Sequence, residues 1–199
     1  LPFFLKTRYA YNEFYKNIKT VFTIHNLRFQ GHFGKRSLTH HHYPFNDEYV
    51  NFMKIGILNA DKVNTVSETY SQEIKTHFFV VFLDYFLRGR EKDLSGIVNG
   101  IDIDVFNPEK DKDIVKNYTF KTLDFKYENK SALQREFGLE ENPNIPIISM
   151  VTRLDSQKGL DLLNHIIKEI LNHDSIQFII LGSGNEKYEK RFRKLAQEY

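Results

Sequence analysis

Four short runs of apolar, mostly β-branched residues, at 21–24, 62–66, 147–151 and 178–181, constrain this chain more than any other feature. Near-continuous apolar runs of that length, separated by helical patterns, are what strands of a parallel sheet covered on both faces look like. Between the last two runs, Leu163, Ile166, Ile167, Ile170 and Leu171 recur at the spacing that lays one apolar stripe along a helix. This predicts a βαβ unit. The closing segment repeats the pattern after the Gly182-Ser183-Gly184 turn, with Tyr188, Phe192, Leu195, Ala196 and Tyr199 on one face. Tyr49, Phe52, Met53 and Ile57 predict a further buried helix face, and Ser67 reads as an N-cap. From about Asn107 to Pro146 the chain turns polar and proline-punctuated, and an inter-domain crossing is expected there.

Charge excludes several function classes. With 28 basic and 26 acidic residues the net charge is +2, and no basic stripe marks a nucleic acid or an anionic membrane as partner. A small molecule is expected instead. The absence of cysteine rules out disulfides and thiolate metal sites, which fits a reducing compartment, so a cytoplasmic location is expected. No run approaches the ~18 apolar residues of a spanning helix. The opening Leu-Pro-Phe-Phe-Leu-Lys has neither an initiator Met nor a signal-peptide pattern and reads as a chain cut mid-protein.

In open α/β sheets ligands bind beyond the carboxyl ends of the strands, so the residues that follow each run are the candidates for chemistry. His25 and Asn26 follow the first run. An imidazole beside a carboxamide can bind sugar hydroxyls or stabilise charge developing on a sugar, or it can be a loop histidine satisfied by backbone. Arg153 and Lys158 flank the turn between the third run and the strongest helix, where a helix N-terminus also favours anions. A diphosphate suits that pair, since Arg offers a planar fork and Lys a mobile point charge; two solvated surface cations are the alternative.

Asn99-Gly100 most simply marks a tight turn. Gly182-Ser183-Gly184 lacks the third glycine of the dinucleotide fingerprint, with Lys187 in its place, leaving either a close backbone approach to a nucleotide or turn geometry. His40-His41-His42 reads as a surface loop rather than a metal site, because adjacent side chains diverge and no further ligand stands at a helical interval.

Taken in order, Thr23-Ile24-His25-Asn26-Leu27 with Gln30-Gly31, Asn51-Phe52-Met53-Lys54 with Gly56-Ile57-Leu58, Ala60-Asp61-Lys62-Val63, Thr65-Val66-Ser67, residues 94–102 and residues 153–159 resemble the bacterial glycogen synthases. Phe137-Gly138-Leu139 and Leu181-Gly182-Ser183-Gly184 extend the resemblance over nearly the whole chain. It implies an α/β fold of the GT-B type, two Rossmann-like parallel-sheet domains, each only partly present. Residues 1–116 would be the later part of the N-terminal domain, 117–144 a linker and helix, and 145–199 the start of the C-terminal domain.

The resemblance further implies transfer of glucose from ADP-glucose to the non-reducing end of an α-1,4-glucan, with retention and without a metal or other cofactor. His25, Arg153 and Lys158 would be catalytic. His25 would lie near the transferring glucose, and Arg153 and Lys158 would hold the distal donor phosphate. Asn26, Asn99, Gly182 and Ser183 would bind substrate. Another nucleotide-sugar donor, or a remnant that binds without turnover, are the competing readings. The chain departs from the pattern in lacking the Lys-Thr-Gly-Gly loop and the late glutamate segment, in Ile55, and between His77 and Leu83, where an apolar run replaces a glycine-rich turn.

Overall fold

The computed structural model describes residues 1–34, 49–77 and 82–199, and the chain divides into two units, Leu1–Ile101 and Asp102–Tyr199. The histidine run at 40–42 and residues 78–81 of the apolar run lie outside the described residues. The division falls ahead of the stretch 117–144 that the sequence suggests as the crossing.

The first unit opens with a short helix, α1 (Pro2–Lys6), and is built on a three-stranded sheet. Strand β1 (Val21–Ile24) is followed by β2 (His32–Gly34) and β3 (Tyr49–Asn51), which pair antiparallel, and by helix α2 (Phe52–Asn59). Then come β4 (Lys62–Thr65), helix α3 (Glu68–Glu73), helix α4 (Asp84–Gly89) and β5 (Leu94–Gly96). The sheet order is β1-β4-β5, all parallel, with Ile24 opposite Thr65 and Thr65 opposite Gly96 at its carboxyl edge. Ile24, Leu27, Ile57, Val63, Ile74 and Leu87 form the core with Met53, Ala60 and Leu83.

Several expectations change here. The stretch from Tyr49 is not one helix. Tyr49 belongs to β3 and is 72% exposed, and α2 starts only at Phe52 because the Asn51 side chain accepts the Lys54 N–H at 2.9 Å and so caps it. Among the described residues the first sheet's central strand is not covered on both faces. In β4 burial alternates, with Val63 and Thr65 buried and Lys62 exposed, the pattern of a strand with one covered face. Asn99 and Gly100 form no tight turn, lying in a stretch without regular structure and without a positive φ. Ser67 is a cap as expected, accepting the Tyr70 N–H at 3.0 Å.

At the end of α2 the terminal carbonyls are met by one side chain. Arg90 donates to the carbonyls of Ile57, Leu58, Ala60 and Asp61 at 3.0, 3.2, 2.7 and 3.2 Å. It thereby satisfies acceptors that a helix end leaves without partners. Just before α4, Phe82 holds a φ of 66°, a left-handed backbone that a glycine would adopt without strain.

The second unit is a βαβ unit with a helix on either side. Helix α5 (Lys126–Glu136) precedes β6 (Ile147–Val151), helix α6 (Leu160–His173), β7 (Gln177–Leu181) and helix α7 (Glu186–Glu198). Strands β6 and β7 pair in parallel from Ile147–Gln177 to Val151–Leu181. The core takes Leu154, Leu160 and Ile167 with Phe192 and Leu195 of α7, and Met150, Leu163, Leu171 and Tyr188 pack against it.

The inward stripe of α6 is therefore Leu160, Leu163, Ile167 and Leu171, which keeps Leu163, Ile167 and Leu171 of the expected stripe and begins one turn earlier at Leu160, with Ile166 turned outward. Ala196 and Tyr199 are likewise exposed on α7. Helix α5 is tied to β7 by a buried amide pair. Gln134 donates to Gln177 at 2.7 Å, and Gln177 donates to the Glu140 carbonyl at 2.7 Å. No buried side-chain polar atom among the described residues lacks a partner.

Candidate functional site

The candidate residues gather on the carboxyl edges of two sheets, one in each unit. In the first unit, Ile24 and Leu27 are buried while His25 between them is exposed, so the core anchors on either side hold the imidazole out to solvent. The loop is pinned at several points. The Thr65 hydroxyl donates to the Ile24 carbonyl at 2.7 Å. Asn26 Oδ1 accepts the Arg28 N–H at 2.9 Å, a turn closed by the candidate carboxamide itself. The Tyr70 hydroxyl is hydrogen-bonded to the backbone of Leu27, and burial pushes its phenol up from the usual tyrosine range. At the loop's end Met53 N–H donates to the Gln30 carbonyl at 3.0 Å.

Asn99 leaves the same carboxyl edge three residues past β5 and is exposed. Because β4 lies between β1 and β5, the two strand ends stand about 10 Å apart, two ladder steps.

In the second unit the two connections that follow β6 and β7 are bonded to each other. Thr152 N–H donates to the Leu181 carbonyl at 3.0 Å, Leu154 N–H to the Ser183 carbonyl at 2.9 Å, and Asn185 N–H to the Leu154 carbonyl at 2.8 Å. Leu154 is 3% exposed, and alternation along this extended stretch turns Arg153 to solvent.

The approach is close enough to require the glycines. A Cβ on Gly182 would sit 1.8 Å from the Thr152 carbonyl oxygen, and one on Gly184 2.5 Å from that of Leu154. Gly182 and Gly184 thus have a structural duty toward the Arg153 connection, and their φ values are not positive, so left-handed turn geometry is not the reason for them.

Beyond Leu154 the chain makes a 3-10 turn, Ser156–Lys158, capped by Asp155, whose Oδ1 accepts the Gln157 N–H at 3.0 Å. Gly159, with φ 69°, ends the turn and opens α6. Lys158 therefore stands at the last position before the glycine, exposed, five residues after Arg153. Among the described residues, the side chains of His25, Asn99, Arg153, Lys158 and Ser183 make no hydrogen bond, and the charged ones make no ion pair. Their polar groups are open to a ligand. The described residues hold no group of histidines and carboxylates placed to bind a metal, and no helix long and apolar enough to cross a membrane.

The sequence does not reveal the roles of Thr65 and Tyr70. Thr65 stands there as a strand residue within one of the motifs that carry the resemblance, and nothing local shows that its hydroxyl reaches a carbonyl 41 positions away.

Comparison with known proteins gives this geometry a context. Residues 1–89 match the family described as the starch synthase catalytic domain. All of the chain aligns at 48% identity with 43% of a glycogen synthase from Thermosipho melanesiensis. At 50% identity, 99% of it aligns with 43% of one from Bacillus cytotoxicus. The chain thus spans about 43% of the length of these relatives. The catalytic domain of starch synthase IV from Arabidopsis thaliana, solved with ADP and acarbose bound, superposes with a TM-score of 0.88 at 30% identity, covering the whole of this chain and 43% of that one. The fold is accordingly α/β of the GT-B type, and the chain is similar along its whole length to part of the glycogen and starch synthases.

Proposed function

We propose that this chain carries part of the machinery that transfers glucose from ADP-glucose to the non-reducing end of an α-1,4-glucan with retention. The observation that supports this most is the pair of exposed, unpartnered cations, Arg153 and Lys158, on one connection bonded to the Gly182-Ser183-Gly184 loop. That connection occurs in a chain 48% identical to a glycogen synthase and similar to a starch synthase that binds ADP. Departure of a nucleoside diphosphate leaves negative charge on a phosphate oxygen. Fixed cations aimed there stabilise the transition state more than the ground state.

In this reading Arg153 grips the distal phosphate through two N–H groups, and Lys158 follows the charge as the bond breaks. No metal is required, because the two side chains do the neutralising. His25 and Asn26 face the sugar, Asn99 supports the donor side, and Ser183 with Gly182 borders the nucleotide. Residues 1–116 and 145–199 belong to the two lobes, joined by 117–144, and the setting is the cytoplasm, with neither nucleic acid nor membrane as partner.

The test is ADP binding to the full chain by titration calorimetry. Arg153→Ala or Lys158→Ala is expected to weaken ADP at least about tenfold, the size of one lost charge-assisted contact. In a complete synthase carrying the same changes, turnover should fall more than the Michaelis constant rises. Unaltered ADP affinity in both variants would remove the proposal. A second reading, binding without turnover, is favoured by the apolar residues between His77 and Leu83, where Phe82 occupies a glycine-like conformation. ADP release from ADP-glucose in the presence of a maltooligosaccharide separates the two.

A further inference from the structure

Thr65 is 1% exposed at the carboxyl end of the central strand of the first unit. A hydroxyl taken out of water must find a partner, and this one donates to the Ile24 carbonyl at 2.7 Å. That carbonyl belongs to the peptide whose N–H is His25's. A bond to it fixes the plane of the Ile24–His25 peptide, and with it the direction in which the His25 side chain leaves the sheet edge.

Thr65 is well placed to serve as the fixed point. Its χ1 is stiff by β-branching, its own carbonyl accepts the Ile97 N–H at 2.8 Å, and it stands in register with Ile24 on one side and Gly96 on the other. His25, by contrast, is exposed, and among the described residues its imidazole has no partner of its own. Among the described residues no group is hydrogen-bonded to that ring, so the backbone that carries it sets its direction. We infer that Thr65 is a positioning residue for His25, acting through the Ile24 carbonyl. The catalytic consequence rests on the proposal that His25 faces the sugar; the structural consequence does not.

Two substitutions separate the hydroxyl from the bulk around it. Thr65→Val keeps the shape and removes the donor; Thr65→Ser keeps the donor and removes a methyl. Thr65→Ala stands in for valine should that chain fail to fold, since alanine and serine differ chiefly in the hydroxyl. In the full chain, labelled for NMR, valine is expected to shift the Ile24 carbonyl carbon and the His25 amide and imidazole signals while core methyl signals such as those of Ile57 stay in place. Serine should restore all three to wild-type positions. Unmoved Ile24 and His25 signals in the valine or alanine variant overturn the inference. So does an equal displacement by serine, because the methyl rather than the hydroxyl would then hold the peptide.

A second arm uses the complete synthase with the same variants. Valine is expected to lower kcat about tenfold or more, at a Michaelis constant for ADP-glucose within about twofold, and serine to return most of the loss, as displacement of a reacting group by part of an ångström would do. Shifted NMR signals with unchanged turnover would sink the role of His25 at the sugar while leaving Thr65 as the residue that orients it.

Discussion

Asp61 shows how much a single polar residue can contribute without leaving a mark in the sequence. Its carboxylate accepts the Thr20 N–H at 2.7 Å and the Thr20 hydroxyl at 2.9 Å, and Lys6 lies 3.3 Å away. The backbone bond from Thr20, with the other two contacts, outweighs partial burial and holds the carboxyl at about 2, against 3.8 ordinarily. A carboxyl depressed on folding stabilises the fold fully above its unfolded value, and that contribution is lost as pH falls from 3.8 through about 2. Asp61→Asn should therefore cost about 1 kcal/mol at pH 6, a figure reduced for its partial exposure, and only a small part of that near pH 2. Urea melts of both chains across that range check it; a gap undiminished at pH 2 would show that charge is not the cause. Asp61 and Thr65 were illegible for the same reason, since each meets a partner 41 positions away. His25, Arg153 and Lys158 are candidates by position alone, the first two just after strands and Lys158 just before the glycine that opens the next helix.

Elements were read best where their signal is local. All four apolar runs became strands, with edges within one residue, because β-branched side chains packed against a helix face specify both state and length. The Ser67 cap was readable because its partner is three residues on. The α2 boundary was misread because Asn51, which stops β3 and starts the helix, competes with the apolar spacing that runs through Tyr49.

The end of α2 was hidden altogether. No glycine closes it, because Arg90, from 29 to 33 residues downstream, takes up its carbonyls. Arg90→Met keeps the apolar stem and removes the donors, and should destabilise the chain by about 2–3 kcal/mol, the scale of charged hydrogen bonds left unmade. Arg90→Lys should not restore it, since one ammonium cannot replace a planar fork. Denaturant midpoints of the three proteins test both statements, and recovery with lysine would refute the second.

For the whole molecule, a net charge of +2 spread over 199 residues produces little long-range field, so attraction for an anion must come from the few cations beside it. ADP affinity should accordingly fall with added salt, and Lys158→Ala should flatten that dependence, because screening acts over only about 8 Å at physiological ionic strength. Calorimetry at low and high salt decides; an identical slope in the variant would place the electrostatic attraction elsewhere.

Fold class was legible at this scale because alternating runs and stripes admit few architectures. The service of Gly182 and Gly184 to the neighbouring connection was not, since it depends on how two loops approach, and composition around them suggests only a turn. That stitching has a consequence for binding. The backbone bearing Arg153 is fixed when the unit folds, so the anion proposed to bind there would not have to freeze it, and the entropy usually surrendered by a capturing loop would already have been given up in folding.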